Sequence, residues 1–193
     1  YRAFQIGKMA NVQTYFDSRL TAQDILDFGF EHVCIATGST WRRDGVSRQH
    51  VAPFAISPGM PLFTPDDLMA GNLPTGRVVI YDDDHYYMGG VLAELLRQKG
   101  ADVTIVTPSA YLSDWTVNTL EQHTIHRRLA GMGVEIVLNR GVVEIAADHL
   151  MTNCTYTDAR TPIACDAVVM VASRLPDDGL YRDLMARADD WAG

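Results

Sequence analysis

The chain has 193 residues, of which 47% are apolar and 21% charged, a size and composition that suit one medium domain or a domain with part of another and exclude a disordered chain. Its formal net charge of -8 argues against a nucleic-acid or anionic-membrane surface, because both need clustered Lys and Arg. Cys34, Cys154 and Cys165 are widely spaced, which suits buried thiols in a reducing cytoplasm better than a disulfide framework or a zinc site, and no apolar run approaches the roughly 20 residues that span a bilayer. The sequence starts at Tyr1 without Met and stops at "RADDWAG", as expected of a piece excised from a longer polypeptide.

In chain order, "NVQTYFDSRL" (residues 11–20) is expected as a strand. Thr21 then caps a short helix, "AQDILDFG", that Gly29 ends. "HVCIATG" (residues 32–38) is an apolar run of strand length finishing on Gly. Residues 39–61 mix Pro, Gly, Ser and charge without a period and are expected as a connecting loop. Thr64, Pro65, Asp66 and Asp67 spell a helix start: an N-cap, Pro in the first turn, then carboxylates.

A second alternation begins at Arg77. "RVVIYD" is a strand; "GGVLAELLRQKG" is a helix whose stripe is Val91, Leu92, Leu95 and Leu96; "ADVTIVTP" is a second buried strand. A loop with Tyr111 and Trp115 leads to a helix at "TLEQHTIHRRLAGMG", with Leu120, Leu129 and Met132 as its buried stripe, and then to the strand "VEIVLN". Hairpin-like segments "GVVEIAADHLMTNCTYT" and "TPIACDAVVMVASR" close the unit. Strands and helices at this spacing imply an α/β fold with a parallel, doubly wound, Rossmann-like sheet.

The turn after the strand at 77–82 is unusual. A dinucleotide fold carries G-x-G-x-x-G there, so that backbone N–H groups approach a pyrophosphate at a helix N-terminus. Registering the chain from the helix side puts Asp84 and Tyr86 at the first two glycine positions and Gly89 at the third. Tyr86 would fill the phosphate's room, and each of Asp82, Asp83 and Asp84 would repel it by about 1 to 4 kcal/mol. The second strand ends on Thr107 and Pro108, where a ribose-binding acid would stand. The turn therefore reads as a dinucleotide turn that has kept its fold and lost its ligand. A cation site is the weaker reading, since adjacent carboxylates rarely converge on one ion.

"HVCIATG", "GRVVIYDDDHYYMGGVLAELLRQKGADVTIVTP", "NTLEQHTIHRRLAGMGVEI" and "DAVVMVASRLPDDGLYRDL", in that order, resemble the C-terminal region of the trimethylamine dehydrogenase family, the old-yellow-enzyme-related iron-sulfur flavoproteins. The resemblance implies an upstream TIM barrel with FMN and a 4Fe-4S cluster, followed by two nested dinucleotide-type domains. Residues 1–72 would be the trailing part of an FAD- or ADP-binding-type domain plus linker, 73–175 an NAD(P)-binding-like domain, and 176–193 the return towards the first domain. It implies cofactor contacts at Ala36, Thr37 and Gly38, and at Met88, Gly89 and Gly90. It implies no catalytic centre within this chain. A glycine-poor turn ending in Tyr86, Tyr87 and Met88 resembles the amine dehydrogenase branch, whose electrons pass from FMN through the cluster to an electron-transferring flavoprotein without NADH. The dienoyl-CoA reductase-like branch needs a working NAD(P)H turn. A cytoplasmic, homo-oligomeric full-length enzyme follows from the same resemblance, and a non-catalytic binding module remains the alternative outside it.

Other candidates read as structural. Glu121, His123 and His126 share a helix face but suit a mixed surface better than a metal. Ser109, Ser113 and Ser173 lack a G-x-S-x-G elbow. Tyr111 and Trp115 fit base stacking and interface packing equally well.

Overall fold

A computed structural model describes residues 1–191. The chain divides into two compact units, Tyr1–Gly38 with the segment from Asp177 onward, and Ser39–Pro176. The expected connecting loop, residues 39–61, lies within the second unit.

The first unit contains α1 (Arg2–Ile6), α2 (Ala22–Phe28) and, after the second unit, α6 (Gly179–Met185). The α2 helix starts as expected, with a Thr21–Asp24 capping box and Gly29 in the left-handed conformation behind it. Two expected strands are absent. Residues 11–20 are irregular and exposed, and 32–38 find no strand partner among the described residues. An apolar run fixes a strand only when a ladder accepts its N–H and C=O groups. Among the described residues of this unit, only Ala22 and Leu184 are buried apolar side chains. Phe30, Val33, Tyr181, Met185 and Trp191 line an open groove of about 600 Å³ between α2, the 29–35 segment and α6. Cys34 is exposed, against the expectation of buried thiols, whereas burial pushes the Cys165 thiol up to about 11.

The second unit runs β1 (Ser39–Trp41), β2 (Ala55–Ile56), β3 (Leu62–Phe63), α3 (Pro65–Met69), β4 (Arg77–Asp82), α4 (Tyr87–Gln98), β5 (Asp102–Val106), α5 (Gln122–Gly131), β6 (Glu135–Val137), β7 (Arg140–Ile145), β8 (His149–Cys154), β9 (Arg160–Ala164), β10 (Ala167–Val171) and β11 (Arg174–Pro176). Its centre is a parallel sheet in the order β3-β10-β4-β5-β6. Successive side chains of a strand point to opposite faces, and the sequence divides accordingly. Val78, Ile80, Val103, Ile105 and Val169 join Leu92, Leu96 and Leu129 in a core beneath the helices. Val79, Tyr81, Val106, Val168 and Met170 face Val142, Ile145 and Leu150 of a second sheet, ordered β2-β7-β8-β9. Helices thus cover one face and a mixed sheet the other, so the parallel sheet is not doubly wound in the expected sense. The hairpin-forming segments supply that second cover instead of a helix.

Two stripe residues also move. Val91 is 57% exposed and Leu120 is 91% exposed, because α4 is buried along Leu92 and Leu96 and α5 begins only after Leu120. The 39–61 loop contains β1 and β2, whose partners lie far along the chain in β11 and β7, and Trp41 enters the core. No helix among the described residues is long and apolar enough to cross a membrane.

Ile80 is fully buried at the centre of the parallel sheet. Ile80→Ala should cost about 2 to 5 kcal/mol, read from a urea melt, whereas Val51→Ala at a 95% exposed position should stay within about 0.5 kcal/mol. Equal effects at the two positions would contradict the packing.

Candidate functional site

The candidate site is the turn between β4 and α4, at the carboxyl ends of the parallel strands, where α/β sheets place their ligands. Its acids are buried or paired within the chain. Asp82 and Asp83 are 0% and 1% exposed. Asp82 Oδ1 accepts the backbone N–H groups of Asp84 (3.2 Å) and His85 (3.1 Å), while Oδ2 lies against the first turn of α4 without a hydrogen-bond partner among the described residues. A Cβ placed on Gly89 would stand 2.5 Å from that oxygen. The glycine is thus required by a carboxyl group of the protein itself. Burial raises the Asp82 pKa from 3.8 to about 6, against the lowering pull of the hydrogen bond and charge of His85.

Asp83 accepts the Gln49 N–H at 2.8 Å and lies 3.0 Å from His85 Nε2. Burial pushes its pKa up, but His85, Ser47 and the Gln49 amide together outweigh burial and hold the carboxyl below its usual range. The His85 ring also reaches Thr107 at the end of β5, with Nδ1 3.4 Å from Oγ1. It therefore fills the gap between the β4 turn and the end of β5. His85 adopts φ 64°, a left-handed conformation uncommon outside glycine. Tyr81, beneath Asp83, is held protonated by burial and then by the Asp83 charge.

Asp84 pairs with Arg174 of β11, Oδ1 to Nη2 at 2.9 Å. Above the turn, the Trp115 N–H donates to the His85 carbonyl at 3.0 Å, and the Arg48 guanidinium stacks on the Trp115 ring at 4.4 Å. The three carboxylates are thus paired or turned inward. Tyr86 is 39% exposed and packs against Tyr87, with ring centroids 4.2 Å apart.

Of the other residues marked in the sequence, Met88 packs against the helix-side core, and a Cβ on buried Gly90 would make ordinary contacts at 3.5 Å with Ile125 and Leu129. Glu121 is engaged by the Tyr87 hydroxyl, which donates to it, while His123 is exposed. In the first unit, Ala36 is exposed, the Thr37 hydroxyl donates to the Asp177 carbonyl, and the Gly38 carbonyl accepts the Asp177 N–H at 3.0 Å. The structure brings Thr37 and Gly38 together with the returning chain. Gly38 has φ 83°, and a Cβ there would meet nothing within 4 Å, leaving open backbone beside the turn. The sequence reading missed His85, Arg174, Arg48 and Trp41. Nothing local to Arg174 marks a partner ninety positions earlier.

A parallel sheet with helices on one face and a mixed sheet on the other defines an α/β domain. The chain belongs to the OYE-like second alpha/beta domain family, whose model matches residues 63–161. It is 31% identical to dimethylamine dehydrogenase of Hyphomicrobium sp. (strain x) over 89% of this chain and 26% of that protein. Among solved structures, histamine dehydrogenase from Rhizobium sp. 4-9 is 61% identical with a TM-score of 0.93, over 98% of this chain and 30% of that one. The 6-hydroxypseudooxynicotine amine oxidase of Pseudomonas geniculata N1 is 38% identical with a TM-score of 0.90, over 97% of this chain and 28% of that one. The chain is thus homologous to members of the trimethylamine dehydrogenase and OYE-related family. It spans less than a third of the length of each of these relatives.

Two predictions follow the geometry of Asp82. Its folded pKa lies above the unfolded one, so its contribution to stability is full below about pH 4 and is lost as pH rises through about 6, by at most ~3 kcal/mol. Asp82→Asn should flatten this slope in urea melts compared at pH 4.5 and 7.5, and an unchanged slope would contradict the assignment. Separately, Gly89→Ala should destabilise by about 1 to 3 kcal/mol through overpacking on the carboxyl. Gly90→Ala should be neutral or stabilising by up to ~1 kcal/mol through helix propensity.

Proposed function

We propose that this chain is the nucleotide-binding-type region of a larger flavin-dependent amine dehydrogenase, and that its second unit holds a nicotinamide-nucleotide site closed by the protein's own side chains. The filled turn carries this reading: Asp82 lies where the helix start would meet pyrophosphate, and His85 spans the gap to Thr107. The nature of the relatives supports the chemistry, since those named above act on amines by their names.

The whole enzyme would carry FMN and a 4Fe-4S cluster in an upstream TIM-barrel domain. These groups supply two-electron oxidation of a small amine and onward passage of single electrons to a partner such as an electron-transferring flavoprotein. Within this chain, the residues suited to a cofactor are Ala36, Thr37 and Gly38. The open backbone at Gly38 fits close approach by the ADP part of FAD or by ADP itself. Thr37 holds that turn through Asp177, so its part is to shape the cradle. The residues at Met88, Gly89 and Gly90 do not fit a nicotinamide nucleotide, because core packing, Asp82 and α5 already use the space around them. We place the protein in the cytoplasm as a homo-oligomer, in keeping with the family resemblance.

Anaerobic mixing of the intact protein with NADH or NADPH should leave flavin absorbance unchanged over minutes, while a small primary or methylated amine bleaches it. Rapid bleaching by either reduced nucleotide would sink the closed-site reading and favour a nicotinamide-dependent flavin reductase. Absence of bound flavin would favour a non-catalytic binding module.

A further inference from the structure

The chain enters the second unit through β1 and leaves it through β11, and these two strands pair with each other antiparallel over only three residue pairs, Ser39 with Pro176, Thr40 with Leu175 and Trp41 with Arg174. A two-stranded ribbon this short is not stable by itself. All three residues of β11 are exposed, so apolar burial does not hold that strand down.

Its attachments are specific. On the β1 side, Trp41 is 9% exposed within the helix-side core, and its N–H donates to Asp66 Oδ2 of α3 at 2.8 Å. On the β11 side, the Arg174 guanidinium lies 4.5 Å from the centre of the Trp41 ring and bonds Asp84 Oδ1 at 2.9 Å. Asp84 is fixed in turn: its N–H donates to the Val171 carbonyl at 3.2 Å, and its side chain is only 12% exposed. The Arg42 N–H also donates to the Ser173 carbonyl at 2.9 Å, extending the ribbon by one rung.

We infer that Asp84 is a positioning residue for the crossover: the acidic turn holds Arg174 against Trp41 and so clamps the β1–β11 ribbon to the body of the second unit. A guanidinium held between a carboxylate and an aromatic face satisfies charge and stacking at once, which an ammonium group does less well. The turn has thereby become the anchor for both segments that lead into and out of the unit. This holds whether or not the turn ever binds a nucleotide.

Hydrogen exchange read by mass spectrometry on the intact protein tests the clamp. Asp84→Asn and Arg174→Gln should each speed exchange in peptides covering 39–42 and 173–176 by about tenfold, as expected for a partly buried charge-assisted pair. The double variant should exceed neither single by more than about twofold, because both remove the same contact. Arg174→Lys, at a half-exposed position, should fall between wild type and Arg174→Gln and decides the matter if Asp84→Asn does not fold. Peptides over 77–82 and 167–171 should be unchanged. Unaltered ribbon exchange, additive singles, or equal acceleration across β4 and β10 would overturn the clamp.

Discussion

A carboxyl group without solvent organises the carboxyl edge of the parallel sheet. Asp82 ends β4 fully buried, and a buried polar group must find partners or pay in stability. One oxygen collects two successive backbone N–H groups, which bends the chain at once into the turn. The other is pressed beside the start of α4, where the partial positive charge of a helix N-terminus favours a negative or polar neighbour. That closeness leaves no room for a Cβ at position 89, and glycine there lets α4 sit directly on the strand. The later features of the turn, including the left-handed His85, build on this local arrangement.

Three consecutive carboxylates become intelligible once their directions are separated. A strand sends neighbouring side chains to opposite faces, so Asp82 goes towards the helices and Asp83 towards Ser47 and Gln49. Asp84, past the strand, turns out to Arg174. Two of the acids thus face cationic or protonatable partners, and the third sits where protonation is favoured. Net charge on paper overstates the field a ligand would meet. A carboxyl group, an imidazole and the Arg48 and Trp115 side chains gather at this end of the sheet.

The parts legible in the sequence were those whose signals are local. β4, β5, β6 and the helices between them follow from buried runs and a 3.6-residue stripe, α2 from the Thr21 cap and Gly29 stop, and α3 from the Thr64 cap, Pro65 and first-turn carboxylates. Gly89 was legible as a close approach between helix and strand, although its neighbour is Asp82. Long-range pairs were not legible. Trp41 in a Gly- and Pro-rich stretch reads as loop until β11 is laid beside it, and the strand pattern at 32–38 reads as ladder although no described partner completes it. The second sheet likewise hides in the sequence as hairpins, because the pattern that pairs β7 with β8 does not say which face of another sheet they will cover.

Apolar packing on both faces of the parallel sheet stabilises the second unit. The two cores on either side of β4 and β10 are formed by apolar side chains of the chain itself. A bound pyrophosphate would answer two needs at the edge: hydrogen-bond acceptors for the turn's amides, and a counter-charge for nearby cations. Asp82 answers the first from within the strand, and Asp84 answers the second at Arg174. Covalently attached acceptors carry no cost of binding and are present at every instant. A turn equipped in this way draws its acceptors and its counter-charge from the chain itself.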